Sequence, residues 1–209
     1  MSQYYYAVAS LPTLYLDSET YPTQEEFLEH CAAWLTPVEL AQLHRATLQP
    51  PTGRGESGTE EFEREAQTAE AEKGVLGRWM AVETGLRNEL VRLRASRRHA
   101  DEEKHLVKTD EPWWLSTAEL EARASEALGQ SNPLRAEQLL DEYRWEVLEE
   151  LEVGHFFDVE KLIIYCLKLQ ILYRRAAMDR EAGKELFDTT YNTIIDRYYS
   201  ADQEVENQT

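Results

Sequence analysis

Apolar residues recur at three- and four-residue steps along most of this chain, the spacing that lays one face of an α-helix against a core. The pattern is clearest in Leu76, Trp79/Met80, Leu86, Leu90 and Leu93, an amphipathic stripe. A helix over 75–99 would be about 37 Å long, a length suited to an antiparallel bundle or helical hairpin. Helices are predicted at about 24–34, 37–48, 60–73, 75–99, 117–128, 133–153, 159–178 and 183–199. The fold class is therefore all-α: a bundle of about six to eight helices with at least one long helical hairpin, as a single domain over 1–199. Residues 3–9, rich in Tyr and Val, are expected to run extended against the bundle.

Start signals support the periodicity. Thr23 with Glu26, Thr36 with Glu39 and Ser116 with Glu119 have the spacing of capping boxes, in which the hydroxyl and the carboxylate each take one orphan backbone N–H. Pro37 and Pro133 follow Thr36 and Asn132, where a first helical residue belongs, and Asp158 is placed to open the helix at 159. No proline follows Pro133, so long helices are permitted through the last third. Residues 49–58 and 100–115 are expected as connections, and 200–209 as a disordered acidic tail.

Between 59 and 99 the acids come first and the arginines last, which complements the backbone dipole of one long helix or two collinear ones. Gly74 and Gly77 would each cost about 1 kcal/mol inside a helix, so a bend or break is expected there. Arg78-Trp79 and Arg144-Trp145 both open an Arg-Trp-x-x-x-Glu stretch ending at Glu83 and Glu149; two matches over six positions are too few to define a repeat.

Charge narrows the function classes. The net charge is −18, from 40 acidic and 22 basic residues, which repels phosphate backbones and anionic lipid, so neither nucleic acid nor direct membrane insertion is expected. The most apolar stretch, 162–172, is short and carries Lys168 and Gln170; the first residues lack a basic region and a long apolar run. A cytoplasmic protein is expected. Cys31 and Cys166, both in apolar surroundings, read as reduced core residues rather than a disulfide.

Candidate chemistry is sparse. Two Glu-x-x-His segments, Glu102…His105 and Glu152…His155, have the spacing used by di-metal helical bundles, but one lies in a charged connection and the other where a helix should end. Glu26…His30 with Cys31 has no second ligand cluster to answer it and reads as a helix with His30 at its margin. Phosphate-loop, nucleophile-elbow and zinc-protease motifs are missing from the sequence. No catalytic residue, metal or cofactor is expected.

Contact residues are easier to find. The run over 92–99 is basic and reads as a solvated helix end or, with Arg87, as a contact for an acidic partner through Arg94, Arg97 and Arg98. Glu83 and Arg87, beside Asn88, form a helix pair or, if they face inward, anchor a buried polar network. Tyr4-Tyr5-Tyr6, Trp113-Trp114 and Tyr198-Tyr199 either seal the ends of the bundle or anchor a protein interface.

The segments Tyr4–Pro12, Leu86–Leu90, and Phe156–Glu160 with Leu167–Leu172 resemble an uncharacterised bacterial family encoded among the genes of V/A-type ATPases. The resemblance implies a non-catalytic coupling or assembly role in that ATPase. The implied counterpart is its C/d component, the all-helical socket between central stalk and membrane rotor ring. The implied partners are the central-stalk and rotor-ring subunits, at the inner face of the membrane. This chain is shorter than a usual socket of that kind with its three helical repeats. The alternatives are a di-metal helical-bundle enzyme and a general helical protein-interaction adaptor.

Overall fold

The structure, a computed structural model, describes residues 4–48, 74–99, 105–107, 112 and 114–178. Over these it is all-α, with seven helices: α1 (Tyr4–Ala9), α2 (Gln24–Ala32), α3 (Pro37–Arg45), α4 (Val75–Arg98), α5 (Thr117–Leu128), α6 (Pro133–Glu152) and α7 (Val159–Ala177). The helices expected at 60–73 and 183–199, the loop at 49–58 and the tail at 200–209 lie outside the described residues. The chain divides into two compact units, Met1–Leu172 and Tyr173–Thr209. The account below concerns the first; of the second, only 173–178, the last turn of α7 and Met178, is described.

Local signals place the helix starts. Thr23 and Thr36 each accept from the N–H of the Glu three residues on, and both glutamates return to the cap backbone, completing two capping boxes. Asn132 accepts from Leu134 N–H with Pro133 following it, and Asp158 accepts from Lys161 N–H at 3.0 Å. Gly74 has no side chain to cap α4. The carboxylate of Glu160, on α7, takes that place and accepts from Val75 N–H at 3.2 Å. Gly74 is the residue before the first turn of α4 and Gly77 lies inside that helix; the residues before 74, on which the expected bend or break depends, lie outside the described residues.

The extended segment expected at 3–9 is instead α1. Tyrosine and valine prefer strands only in so far as a pleated surface is there to receive them, and among the described residues none is. Helical geometry drives Ala7 into the core, lets His30 reach the Ala7 carbonyl at 2.9 Å, and joins the Tyr4 hydroxyl to Glu39.

Helices α4, α5 and α6 pack on one another. Arg97 donates to the Leu128 carbonyl at the end of α5, and Arg123 of α5 pairs with Glu146 of α6 at 2.8 Å while lying over the Tyr143 ring. Helix α6 then reverses into α7. Gly154, with φ of 93°, supplies a left-handed residue in the turn that most side chains resist. Glu152 at the end of α6 meets Lys161 near the start of α7, and Trp145, two turns back, meets Lys168, two turns on. This is an antiparallel helical hairpin, as expected.

Helix α7 is the axis of the core. Its residues are buried without interruption from Leu162 to Leu169, the mark of a helix covered on every side. Phe27 of α2 stacks on Tyr165, and the Cys166 sulfur lies about 4 Å from the carbonyls of Leu43 and Ala46. The Tyr21 hydroxyl donates to the Leu172 carbonyl. No helix among the described residues is long and apolar enough to cross a membrane.

Candidate functional site

Several charged groups inside this core hold it together. Arg144 donates from Nε and Nη2 to the two carboxylate oxygens of Glu83, at 2.8 and 3.0 Å, and from Nη1 to Asp141 at 3.2 Å. Burial alone would raise the Glu83 pKa, but the guanidiniums of Arg144 and Arg87 overcome it and hold the carboxyl below its ordinary range. Arg87 bonds Glu83 at 2.6 Å and the Leu48 carbonyl at 2.6 Å. Gln170 accepts from Leu48 N–H at 3.0 Å and donates to the Ala46 carbonyl, so α4 and α7 together satisfy the backbone that leaves α3. Both readings of Glu83 and Arg87 are realised: they form an i,i+4 pair, and the pair belongs to a buried network.

The other candidate residues fall in different places. Arg94 and Arg98 are exposed near the end of α4, and Arg97 is exposed but bonded to the Leu128 carbonyl. Asn88 accepts from and donates to the backbone of Val107. Trp114 is 38% exposed; Trp113 and Tyr198-Tyr199 lie outside the described residues. The two Arg-Trp-x-x-x-Glu segments are not equivalent. Trp145 donates to Glu149, whereas Glu83 turns away from its own segment to Arg144.

The possible metal ligands are engaged elsewhere. Glu152 pairs with Lys161 and Lys168, and His155 with Asp158 at 2.7 Å, while His105 is exposed and Glu102 lies outside the described residues. His30 bonds Ala7 and Ser10. Among the described residues no group of three or more His, Cys, Asp or Glu could hold a metal ion. Cys31 and Cys166 are free and buried.

An aromatic row on the surface was only half anticipated. Trp34 stacks on Tyr6 with ring centroids 5.6 Å apart, Tyr6 meets Tyr5 edge-on at 5.6 Å, and Tyr5 meets Phe157 at 4.9 Å. All four rings keep much of their surface in solvent: Trp34 39%, Tyr5 44%, Phe157 45% and Tyr6 53%. Phe156, next in sequence, is 70% exposed. Four contacting, solvent-facing rings are more than scattered surface apolarity. The tyrosines were legible as candidates. Trp34 and Phe157 were not, because only the meeting of α1, the end of α2 and the turn before α7 aligns them.

The segment that presents most of the row is acidic in composition. Residues 4–48, which present three of the four rings, carry six carboxylates and a single arginine, Arg45. Such a surface offers ring faces and acids together, the chemistry that receives arginine and lysine side chains.

Fold and surface together define an all-helical protein with an exposed aromatic row and a salt-bridged interior. Residues 120–198, from α5 onward, match a family described as "Protein of unknown function (DUF2764)". No curated protein and no solved structure matches the chain.

Proposed function

We propose that this chain is a non-catalytic helical protein that docks a partner through the row Trp34–Tyr6–Tyr5–Phe157, and that the partner belongs to a V/A-type ATPase. The carrying observation is the row itself: four aromatic rings in mutual contact, each left partly in water. The excess of acids over bases in residues 4–48 favours a basic, partly apolar segment of the partner. The ATPase, and the role of a C/d-like socket between central stalk and rotor ring, come from the sequence resemblance. A socket transmits force through packing, and the Glu83–Arg144 network and the α6–α7 hairpin suit a stiff body. The exposed Arg94 and Arg98 near the end of α4 offer a second, basic contact.

The test is co-purification of the tagged chain with central-stalk and rotor-ring subunits, beside a variant carrying Tyr6→Ala, Trp34→Ala and Phe157→Ala. Recovery of those subunits by the wild type and their loss from the variant is the expected result. Their absence from the wild-type eluate sinks the ATPase assignment; retention by the variant sinks the aromatic row.

A further inference from the structure

A second feature lies beside α7, where a cavity of about 150 Å³ opens between that helix and the segment that follows α1. Its walls are apolar: Leu11, Pro12 and Leu14 on one side, Leu162 and Ile164 on the other. Its polar end is built from three side chains. Glu152 offers one oxygen to Lys161 and the other to Lys168. Two ammoniums therefore share one carboxylate in direct contact, in a protein of net charge −18.

The Lys168 end of this cluster is screened from solvent. The Lys168 side chain is only 9% exposed and lies over the Trp145 ring. Burial lowers the pKa of both lysines, and for Lys161 the nearby Lys168 lowers it further. Glu149, which accepts from the Trp145 indole N–H at 3.0 Å, adds a second negative charge that favours the charged form of Lys168. A half-buried cation pair beside an apolar cavity is complementary to a second anion with an apolar body. A cavity of this size accepts a molecule as large as benzene when its walls are aliphatic.

We propose that the cavity is a binding site for a small monocarboxylate, its apolar body between Leu11 and Ile164 and its carboxylate shared by Lys161 and Lys168 in competition with Glu152. The inference is independent of the ATPase reading and of the aromatic row.

Benzoate is the probe, measured by calorimetry on the full chain at low salt, with benzyl alcohol and benzylamine as neutral and cationic counterparts. Benzoate should bind one to one and at least about tenfold more tightly than either counterpart, as expected for a hydrogen bond to a charged group. Lys168→Met should remove that preference. Glu152→Gln should tighten benzoate several-fold, because the competing carboxylate is gone; a purely structural ion pair predicts no such gain. Leu11→Trp, which fills the cavity and leaves the charged cluster intact, should abolish binding and serves if the charge variants do not fold. Benzoate binding no better than benzyl alcohol, unchanged or weaker binding in a folded Glu152→Gln, or full binding in Leu11→Trp overturns the proposal.

Discussion

Arg144 grips both carboxylate oxygens of Glu83, joining α6 to α4 across 61 residues of sequence. Neither side chain is accessible enough for water to take over if its partner is lost. Breaking such a pair from one side leaves a buried charge with only its second partner, Asp141 for Arg144 or Arg87 for Glu83, and costs up to about 3–5 kcal/mol. Arg144→Met and Glu83→Gln should therefore each lower unfolding free energy by up to that amount. The double variant should lose clearly less than the two losses added. Urea titrations followed by circular dichroism measure all four corners of the cycle, and strict additivity would show that the two residues do not interact.

The same carboxylate sets a pH dependence. Its pKa is held below the ordinary value of 4.5, so the unfolded chain takes up the proton first as pH falls. The stabilisation it confers is complete above about pH 4.5 and is lost as the pH drops through the lower value of the folded state. Stability of the wild type should consequently fall more steeply in acid than that of the Glu83→Gln, Arg144→Met double variant. Parallel slopes for the two proteins between about pH 5 and pH 3 would assign the acid loss to other carboxyls.

The thiols are predicted to be inert in the native state. Burial, and for Cys31 the nearby Cys166, pushes Cys31 up to about 12, while burial pushes Cys166 up to about 11. The reactive thiolate is then scarce at neutral or mildly alkaline pH, and access to it is closed. A disulfide-exchange reagent should label the folded protein slowly, at the rate of opening, and both thiols promptly in urea. Rapid labelling of either one in folded protein would contradict the packing of α7.

The start of α4 is capped from a distance, which makes it vulnerable from either side. Replacing Glu160 by Ala removes the acceptor of Val75 N–H and should cost about 1 kcal/mol, as loss of a helix cap does. Replacing Gly74 by Ala attacks the same contact from the other partner, since a Cβ there would stand 2.6 Å from the Glu160 carboxylate oxygen. The pair should be non-additive in thermal unfolding: once Glu160 is alanine, the Gly74→Ala penalty should shrink. An undiminished penalty would place its origin in the backbone.

What could be read in advance divides along the range of the forces involved. Helices α2 to α7 begin within a residue or two of their expected starts, because caps, prolines and the 3.6-residue period act within one turn. Their ends drifted more: α3 stops at Arg45 where the periodicity carried on to 48, and the chain beyond it is held by Arg87 and Gln170 instead of by helix. Lys168 and Gln170, which looked like mere interruptions of an apolar run, are the groups that tie α7 to Glu152 and to the exit of α3.

The sequence by itself determined the all-α class, the position of most helices and the burial of both cysteines. Each of these follows from local periodicity or from composition within one segment. Only the tertiary structure decided that α1 is a helix, that Glu83 belongs to Arg144 as well as to Arg87, that two lysines share Glu152 beside a cavity, and that Trp34 and Phe157 extend the tyrosines into one row. Those outcomes depend on residues distant in the chain meeting at a few ångströms. A preference worth a fraction of a kcal/mol in a six-residue segment gives way to contacts that the rest of the fold supplies.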